Sequence, residues 1–396
     1  MHPVRFIKNT TSQDGFNYTY LSEASGENAV RYCKTIPGYQ PTPLHHLPAL
    51  AEALGVAGIA VKDERHRFGL NSFKGLGGAY GIGVCLAERA GIAQNVMDFA
   101  TILANTGETI TFATATDGNH GRGIAWAAKM FGQKAAVFMP RGADPSRVEA
   151  IRNFGAECTI MDMSYDETVA HVFALAKERG WVVMQDTAFA DYAMMPAWIM
   201  QGYCVLGVEI LEQLQDQPLP THLFLQAGVG SFAAALLGCF KSALGQNCPR
   251  ATILEPDAAN CVFASASTAD KGLASVASKE TTIMAGLDCG TPSTLAWDIL
   301  RDHADHFVSC PDYIAANGMR ILAAPLAGDP LVCSGESGAG VGLGVLEYAT
   351  CQLGGEALRK SLQLDASSRI LLINTEGNTA PDNYRNIVWK GAYPQP

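Results

Sequence analysis

Residues 71–80 read NSFKGLGGAY, a lysine set behind a phenylalanine and followed by glycines at 75, 77 and 78, where the apolar run AYGIGVCLAERA begins. This pattern places Lys74 at the start of a helix. There the helix dipole disfavours an ammonium and desolvation lowers the lysine's pKa further. Both effects favour the free amine that a Schiff-base lysine needs. A surface lysine that lays its stem along apolar neighbours and keeps its head in water fits the same ten residues. The rest of the chain has to decide between them.

Working outward, two more glycine turns follow strand-like runs. In THLFLQAGVGSFAAALLGCF a β-rich run ends at Gly228-Val229-Gly230-Ser231 and a small-residue helix begins. The amides of such a turn and of a helix N-terminus hold a phosphate, and Ser231 adds a hydroxyl. The same residues also match a dinucleotide fingerprint, with Glu255 at the end of ATILEP as the ribose-binding acid. In TATDGNHGRG, residues 114–123, the turn carries a carboxylate, Asp117, at its mouth. A phosphate is repelled there, so this turn faces something else, or Asp117 is only an N-cap. A dinucleotide site uses one of the three features and leaves Lys74 and the DGNH turn without a role. Pyridoxal phosphate uses all three: a lysine to carry it, a monophosphate cup, and a turn against ring and substrate.

The frame around these motifs alternates short β-rich runs (GIAVKDE, TFATATD, KAAVFMP, CTIMDM, WVVMQD, THLFLQA, ATILEP, RILLINTEG) with amphipathic stretches such as SRVEAIRNFGA and DETVAHVFALAKERG. That is the signature of parallel sheets covered by helices, an α/β protein. Four strand–helix units lie close together from TFATATD to WVVMQD, so residues 96–199 are expected to form a small α/β domain inserted into a large one made of 1–95 and 200–396. The return is the helix near Pro196, PAWIMQGYCVLGVEILEQL.

Composition narrows the function classes. The chain of 396 residues is 48% hydrophobic and 17% charged, as a globular enzyme is, and its 40 glycines suit many tight strand–helix turns. A net charge of −10 without a basic stripe argues against nucleic acid as a partner. No apolar run is expected to reach membrane-spanning length, so no membrane partner is expected. The opening MHPVRFIKNTTSQDG lacks the apolar core of a signal peptide, which makes the cytoplasm the expected compartment. The 11 cysteines are scattered without a C-x-x-C, so no disulfide framework or zinc ribbon is suggested. His303 and His306, in DHADH, read as an i,i+3 pair on one helix but lack a third ligand, and no metal is expected.

Six segments together resemble the fold type II, tryptophan-synthase-like pyridoxal phosphate enzymes, the group of threonine dehydratases and threonine synthases. GYQPTPLHHL is similar to the early T-P-L segment, and VKDERHRFGLNSFKGLGGA to the lysine motif. ATDGNHGRG is similar to S-x-G-N-H-G, AGVGS to the glycine phosphate loop, GESGAG to E-P-S-G-A, and NTEGN to the terminal S-G-G-N. Their order agrees from about residue 40 onward. There are two departures: Ala227 and Val229 interrupt the glycines of the phosphate loop, and Asp117 precedes Gly118 where the family motif is neutral.

The resemblance implies two parallel-sheet α/β domains, the smaller inserted in the larger, and a homodimer. It also implies roles for residues. Lys74 carries pyridoxal 5'-phosphate, Asn119 contacts its ring oxygen, Gly228, Val229, Gly230 and Ser231 hold its phosphate, and Thr375 places a neutral hydroxyl near the pyridine nitrogen. His120 receives no catalytic role. GLNSFKGLGGAYGI, FATATDGNHGRGIAWAA, QDTAF and NTEGN resemble most the branch that removes ammonia from the β-carbon of 2,3-diaminopropionate, giving pyruvate and ammonia. A substrate with two amines gives Asp117 a purpose: it holds an ammonium, or takes the α-proton on one face while Lys74 works on the other. Asp186, expected at the end of the strand WVVMQD, is a second catalytic carboxylate whose proximity would raise one of the two pKa values. Its alternative is a turn cap. Serine or threonine dehydration is the near alternative function. A nicotinamide oxidoreductase, resting on Gly228, Gly230 and Glu255, is the distant one, and a non-catalytic amino-acid sensor would be expected to have lost Lys74.

Overall fold

The computed structural model describes residues 4–11, 13, 15–277 and 281–396. Its strands are β1 (Arg5–Lys8), β2 (Leu44–His46), β3 (Gly58–Asp63), β4 (Thr111–Ala115), β5 (Lys134–Met139), β6 (Glu157–Ile160), β7 (Val182–Val183), β8 (His222–Gln226), β9 (Arg250–Pro256), β10 (His306–Cys310) and β11 (Arg369–Asn374). They form a seven-stranded sheet in the order β1-β10-β9-β8-β11-β3-β2 and a four-stranded sheet in the order β6-β5-β4-β7. The smaller sheet is parallel throughout. The larger is parallel from β10 to β3, with β1 and β2 added antiparallel at its two edges. Both edge strands were invisible in the sequence pattern because they are three or four residues long and only half-buried.

All four strands of the smaller sheet lie between the helix Lys74–Arg89 and the helix Met194–Gln213, which pack against each other. The expected break at 199/200 falls inside the second of these helices. Met194–Gln213 also corrects the expectation that no run reaches membrane length. By length and composition it does, yet 72% of its most apolar window is buried among the helices Glu23–Cys33, Lys74–Arg89 and Ser231–Leu244.

Glycine lets these helices meet at backbone distance. A Cβ on Gly77 would lie 2.5 Å from Cε1 of Tyr203, and one on Gly202 would lie 2.7 Å from the Leu76 carbonyl oxygen. On the other side a Cβ on Gly78 would lie 2.9 Å from the Gly123 oxygen, and one on Gly123 would lie 2.7 Å from the Lys74 oxygen. Each helical glycine costs about 1 kcal/mol against alanine. The cost is offset by burial of Leu76, Ile82, Val84 and Leu86 along the same helix, worth about 1.5–3 kcal/mol each. The glycines after Lys74 are therefore packing residues, and the crossing they permit brings Lys74 beside the helix Asn119–Met130, which the DGNH turn opens.

DHADH is not one helical segment. The helix Thr294–His303 stops where Ala304 turns extended, and the Asp305 amide then donates to the Ala251 carbonyl, starting β10 at His306. His303 and His306 thus belong to different elements. His303 packs on Phe16 and Tyr18, and His306 bonds Ser361.

Candidate active site

Lys74, Asp117, Asn119, Asp186, Gly228, Val229, Gly230, Ser231 and Thr375 all line one cavity of about 700 Å³, counted to its open mouth.

Lys74 opens its helix, its amide donating to Ser72 Oγ at 3.2 Å. Its Nζ lies 2.5 Å from Asp186 Oδ2, with the rings of Phe73 and Tyr203 beside it. Burial works against the ammonium, but Asp186, aided by Tyr203 and Asp117, outweighs it and the pKa is raised. This corrects the expectation of a lowered value, which weighed the helix dipole and burial without a counter-ion.

Asp186 reaches the lysine because WVVMQD pairs for only part of its length. β7 ends at Val183, Met184 N–H donates once more to Ala113 O, and then the Gln185 side chain takes over, its Oε1 accepting from the Ala115 amide at 3.0 Å. The chain leaves the sheet, and Asp186 lies beyond the strand rather than ending it. Among the described residues its carboxyl accepts from Lys74 and caps no helix or turn. Burial opposes its charge, yet His120 and Lys74 bring its pKa down to about 2. His120 donates from Nε2 to the Met184 carbonyl at 2.8 Å and turns Nδ1 to within 3.6 Å of Asp186 Oδ2. Burial lowers the His120 pKa, so the ring is neutral near pH 7 and Lys74 is the steady partner of Asp186.

Asp117 is no N-cap. The Thr116 hydroxyl accepts from the amides of Gly118 and Gly121 at 2.9 and 3.1 Å, doing the capping itself. Among the described residues Asp117 Oδ2 has no hydrogen-bond partner, and the side chain, 31% exposed, lines the cavity. Burial raises its pKa against the opposing pull of Arg147 and Lys74. The two carboxylates do separate in pKa, but burial of Asp117 and the lysine at Asp186 separate them, not mutual repulsion.

The phosphate-type turn joins β8 to the helix Ser231–Leu244, with Gly230 at a φ of +93° as N-cap and no side chain capping the first turn. Its leading amides therefore lack intrahelical acceptors. A Cβ on Gly228 would lie 3.1 Å from Cys289 Sγ and 3.3 Å from the Gly286 carbonyl oxygen, so the turn is a cradle kept open by glycine. Ser231 Oγ donates to the Asp186 carbonyl at 2.5 Å, tying the turn to the Lys74 partner. Thr375 Oγ1 donates to the Ser337 carbonyl at 2.8 Å and accepts from Gln226 Nε2 at 2.9 Å. Asn119 donates its amide to Glu376 Oε2, and Oε1 of Glu376 accepts from the Ser337 amide at 2.9 Å.

Gln226, Ser337, Tyr165 and Glu376 line the cavity without having been singled out. Glu376 alone had a visible signal, standing in NTEGN where the family motif has glycine. Glu255, by contrast, is absent from the lining. Its carboxylate accepts from the amides of Val262 and Phe263 at 2.9 and 2.6 Å, and burial raises its pKa to about 8. An acid spent on capping the helix Cys261–Ser267 has nothing left for a ribose, and the dinucleotide reading falls with it.

A model of the pyridoxal-phosphate dependent enzyme family matches residues 35–375. The chain is 48% identical over 386 residues to the diaminopropionate ammonia-lyase of Salmonella typhimurium, with 95% of each covered. It belongs to the diaminopropionate ammonia-lyase family. As a member of that family it is a pyridoxal phosphate-dependent lyase. Its structure is similar to that of Escherichia coli diaminopropionate ammonia lyase in complex with D-serine, with a TM-score of 0.94 at 42% identity over 99% of this chain and 98% of that one. The E. coli enzyme in complex with an aminoacrylate-PLP azomethine reaction intermediate gives a TM-score of 0.92 at 42% identity, with the same coverage. The residues here fit the cofactor: a lysine Nζ in the cavity, an uncapped helix N-terminus behind a glycine cradle for a phosphate, and amide and hydroxyl groups of Asn119 and Thr375 in the same wall.

Proposed function

We propose that this lyase converts 2,3-diaminopropionate and water to pyruvate and two ammonia molecules, with Lys74 and Asp117 as the two groups that accept the α-proton, one for each enantiomer. The observation that carries this is the Asp117 carboxylate. It lines the cavity with its Oδ2 unpartnered among the described residues, and capping is done by Thr116 instead. Pyridoxal phosphate, when bound, draws electrons from the substrate α-carbon, which acidifies its proton and lets the β-amine leave.

The chain's own residues do the rest. Lys74 would hold the cofactor, the Gly228–Ser231 amides its phosphate, and Asn119 and Thr375 its ring. Thr375 is a neutral partner, its hydroxyl already donated to Ser337. Asp186 accepts a hydrogen bond from the Lys74 amine and stays ionised beside it. Asp117 takes the α-proton from the D-isomer, and its negative charge favours a substrate that carries a second ammonium over one that carries a hydroxyl. The same reading treats 96–199 as the small domain and includes a homodimer in the cytoplasm.

The test is pyruvate formation from D- and L-2,3-diaminopropionate and from serine and threonine by the holoenzyme. Turnover of either diamine should exceed that of the hydroxy amino acids by at least tenfold. A preference for serine or threonine would replace this reading with a dehydratase.

A further inference from the structure

Arg147 reaches Asp117 from outside every motif. It lies on the helix Pro145–Arg152, whose first turn is capped by Asp144. Its side chain is 9% exposed, its Nη1 donates to the Asp117 carbonyl at a long 3.4 Å and stands 3.9 Å from Asp117 Oδ2, and its Nε is buried with no partner among the described residues. The backbone is shaped around it. Gly118 has a φ of +153°, and a Cβ there would lie 2.8 Å from Arg147 Cδ, so only glycine passes beneath this stem. Burying a guanidinium costs several kcal/mol unless its donors are satisfied. Here Nε has no partner among the described residues and Nη1 makes one long bond, which makes Arg147 a poor structural clamp.

Building on the assignment of Asp117 as a proton acceptor, we propose that Arg147 is a positioning residue that keeps the Asp117 carboxylate ionised and turned into the cavity for elimination. The groups acting on Asp117 come from every element around it: Lys74 from the lysine helix, Arg147 from its own helix, Glu376 after β11, and Tyr165, Asp288 and Cys289 across the cavity. The cations among them are Lys74 and Arg147. Lys74 is committed to the cofactor in the holoenzyme, so Arg147 is the charge that opposes the burial of Asp117. An opposite charge at this distance moves a carboxylate's titration by about one to three units.

The experiment uses carboxyl-labelled aspartate in the full-length holoenzyme and follows the Asp117 carbon signal by NMR against pH, with Asp117→Asn identifying the signal. It also records the pH profile of D-diaminopropionate turnover. Arg147→Met should move both midpoints upward by at least one unit, equal to a tenfold change in ionisation, and Arg147→Lys should restore most of the shift. A folded Arg147→Met protein whose Asp117 signal titrates as in the wild type overturns the proposal, as does a loss of turnover with an unmoved profile. Equal D- and L-turnover by Asp117→Asn would instead overturn the Asp117 assignment, and the NMR titration would still judge Arg147.

Discussion

The 2.5 Å approach of Lys74 Nζ to Asp186 Oδ2 decides the charge of the lysine, against both of the effects that its place in the sequence implies. A helix N-terminus disfavours a cation by about 0.3–1 kcal/mol. A hydrogen bond between charged groups is worth about 1.5–3 kcal/mol net. The carboxylate wins. Asp186→Asn is therefore expected to lower the Lys74 pKa and to increase its labelling by acetic anhydride at pH 8 at least tenfold in cofactor-stripped protein. Labelling unchanged from wild type would mean that Asp186 does not govern the lysine. Asp186 itself, held at about 2, contributes stability that is present above its unfolded value near pH 4 and is lost as the pH falls through about 2. Without the cofactor the pair is intact near neutral pH.

How much of this site the sequence displayed depends on how local each cause is. The helix start at Lys74, the β8–Ser231 turn and the DGNH turn are set by neighbours in the chain, and all three were legible. The partner of Asp186 was not, because it depends on Gln185 substituting for a strand bond 70 residues away, at Ala115. Arg147 carried no signal, since its helix reads as an ordinary amphipathic one. β10 was hidden for a different reason: DHADH has helical spacing, and only the pairing of Asp305 with Ala251 shows where the helix ends.

Gly230→Val tests the cradle. At a φ of +93° a β-branched residue is strained by about 1–3 kcal/mol, and its Cβ would press on Leu300 Cδ1 at 3.1 Å and Ala296 Cβ at 3.2 Å. The turn must shift, and its amides with it. Cofactor retention during dialysis should fall at least tenfold. Gly245→Val is the control, because Gly245 lies at the other end of the same helix with a φ of +55° and open space around it. It should lower thermal stability and leave retention unchanged. Equal losses in both variants would assign the effect to general destabilisation.

Glu255 gives a stability signature. Its folded pKa of about 8 lies above the unfolded value near 4.3, so the folded protein binds an extra proton between them. The stability this contributes is fully present below the unfolded value and is lost as the pH rises through about 8. Glu255→Gln keeps the shape and removes the titration. Denaturant midpoints of the wild type should fall from pH 5.5 to pH 8.5 by the equivalent of about 1–4 kcal/mol, and those of the variant should change less. Parallel curves would mean that Glu255 stays ionised in the fold.

Asp117→Asn isolates the carboxylate from everything else the DGNH turn does. Helix capping belongs to Thr116, so the fold should persist and the thermal midpoint should stay within a few degrees. Lys74 and the glycine cradle are untouched, so the visible absorption of the bound cofactor should also remain. What is lost is a base of raised pKa facing the cavity. A positioned base contributes about a hundredfold to ten-thousandfold to proton transfer. Turnover of D-2,3-diaminopropionate should fall by at least a hundredfold. The L-isomer, whose proton goes to Lys74, should lose less than a tenth as much, the remainder reflecting weaker attraction of the second ammonium. Stopped-flow mixing with each isomer separates binding from proton transfer, since a substrate that binds and does not react still perturbs the cofactor band. Equal losses for the two isomers would sink the division of labour between Asp117 and Lys74, and full turnover of both would reduce Asp117 to a bystander at the cavity mouth.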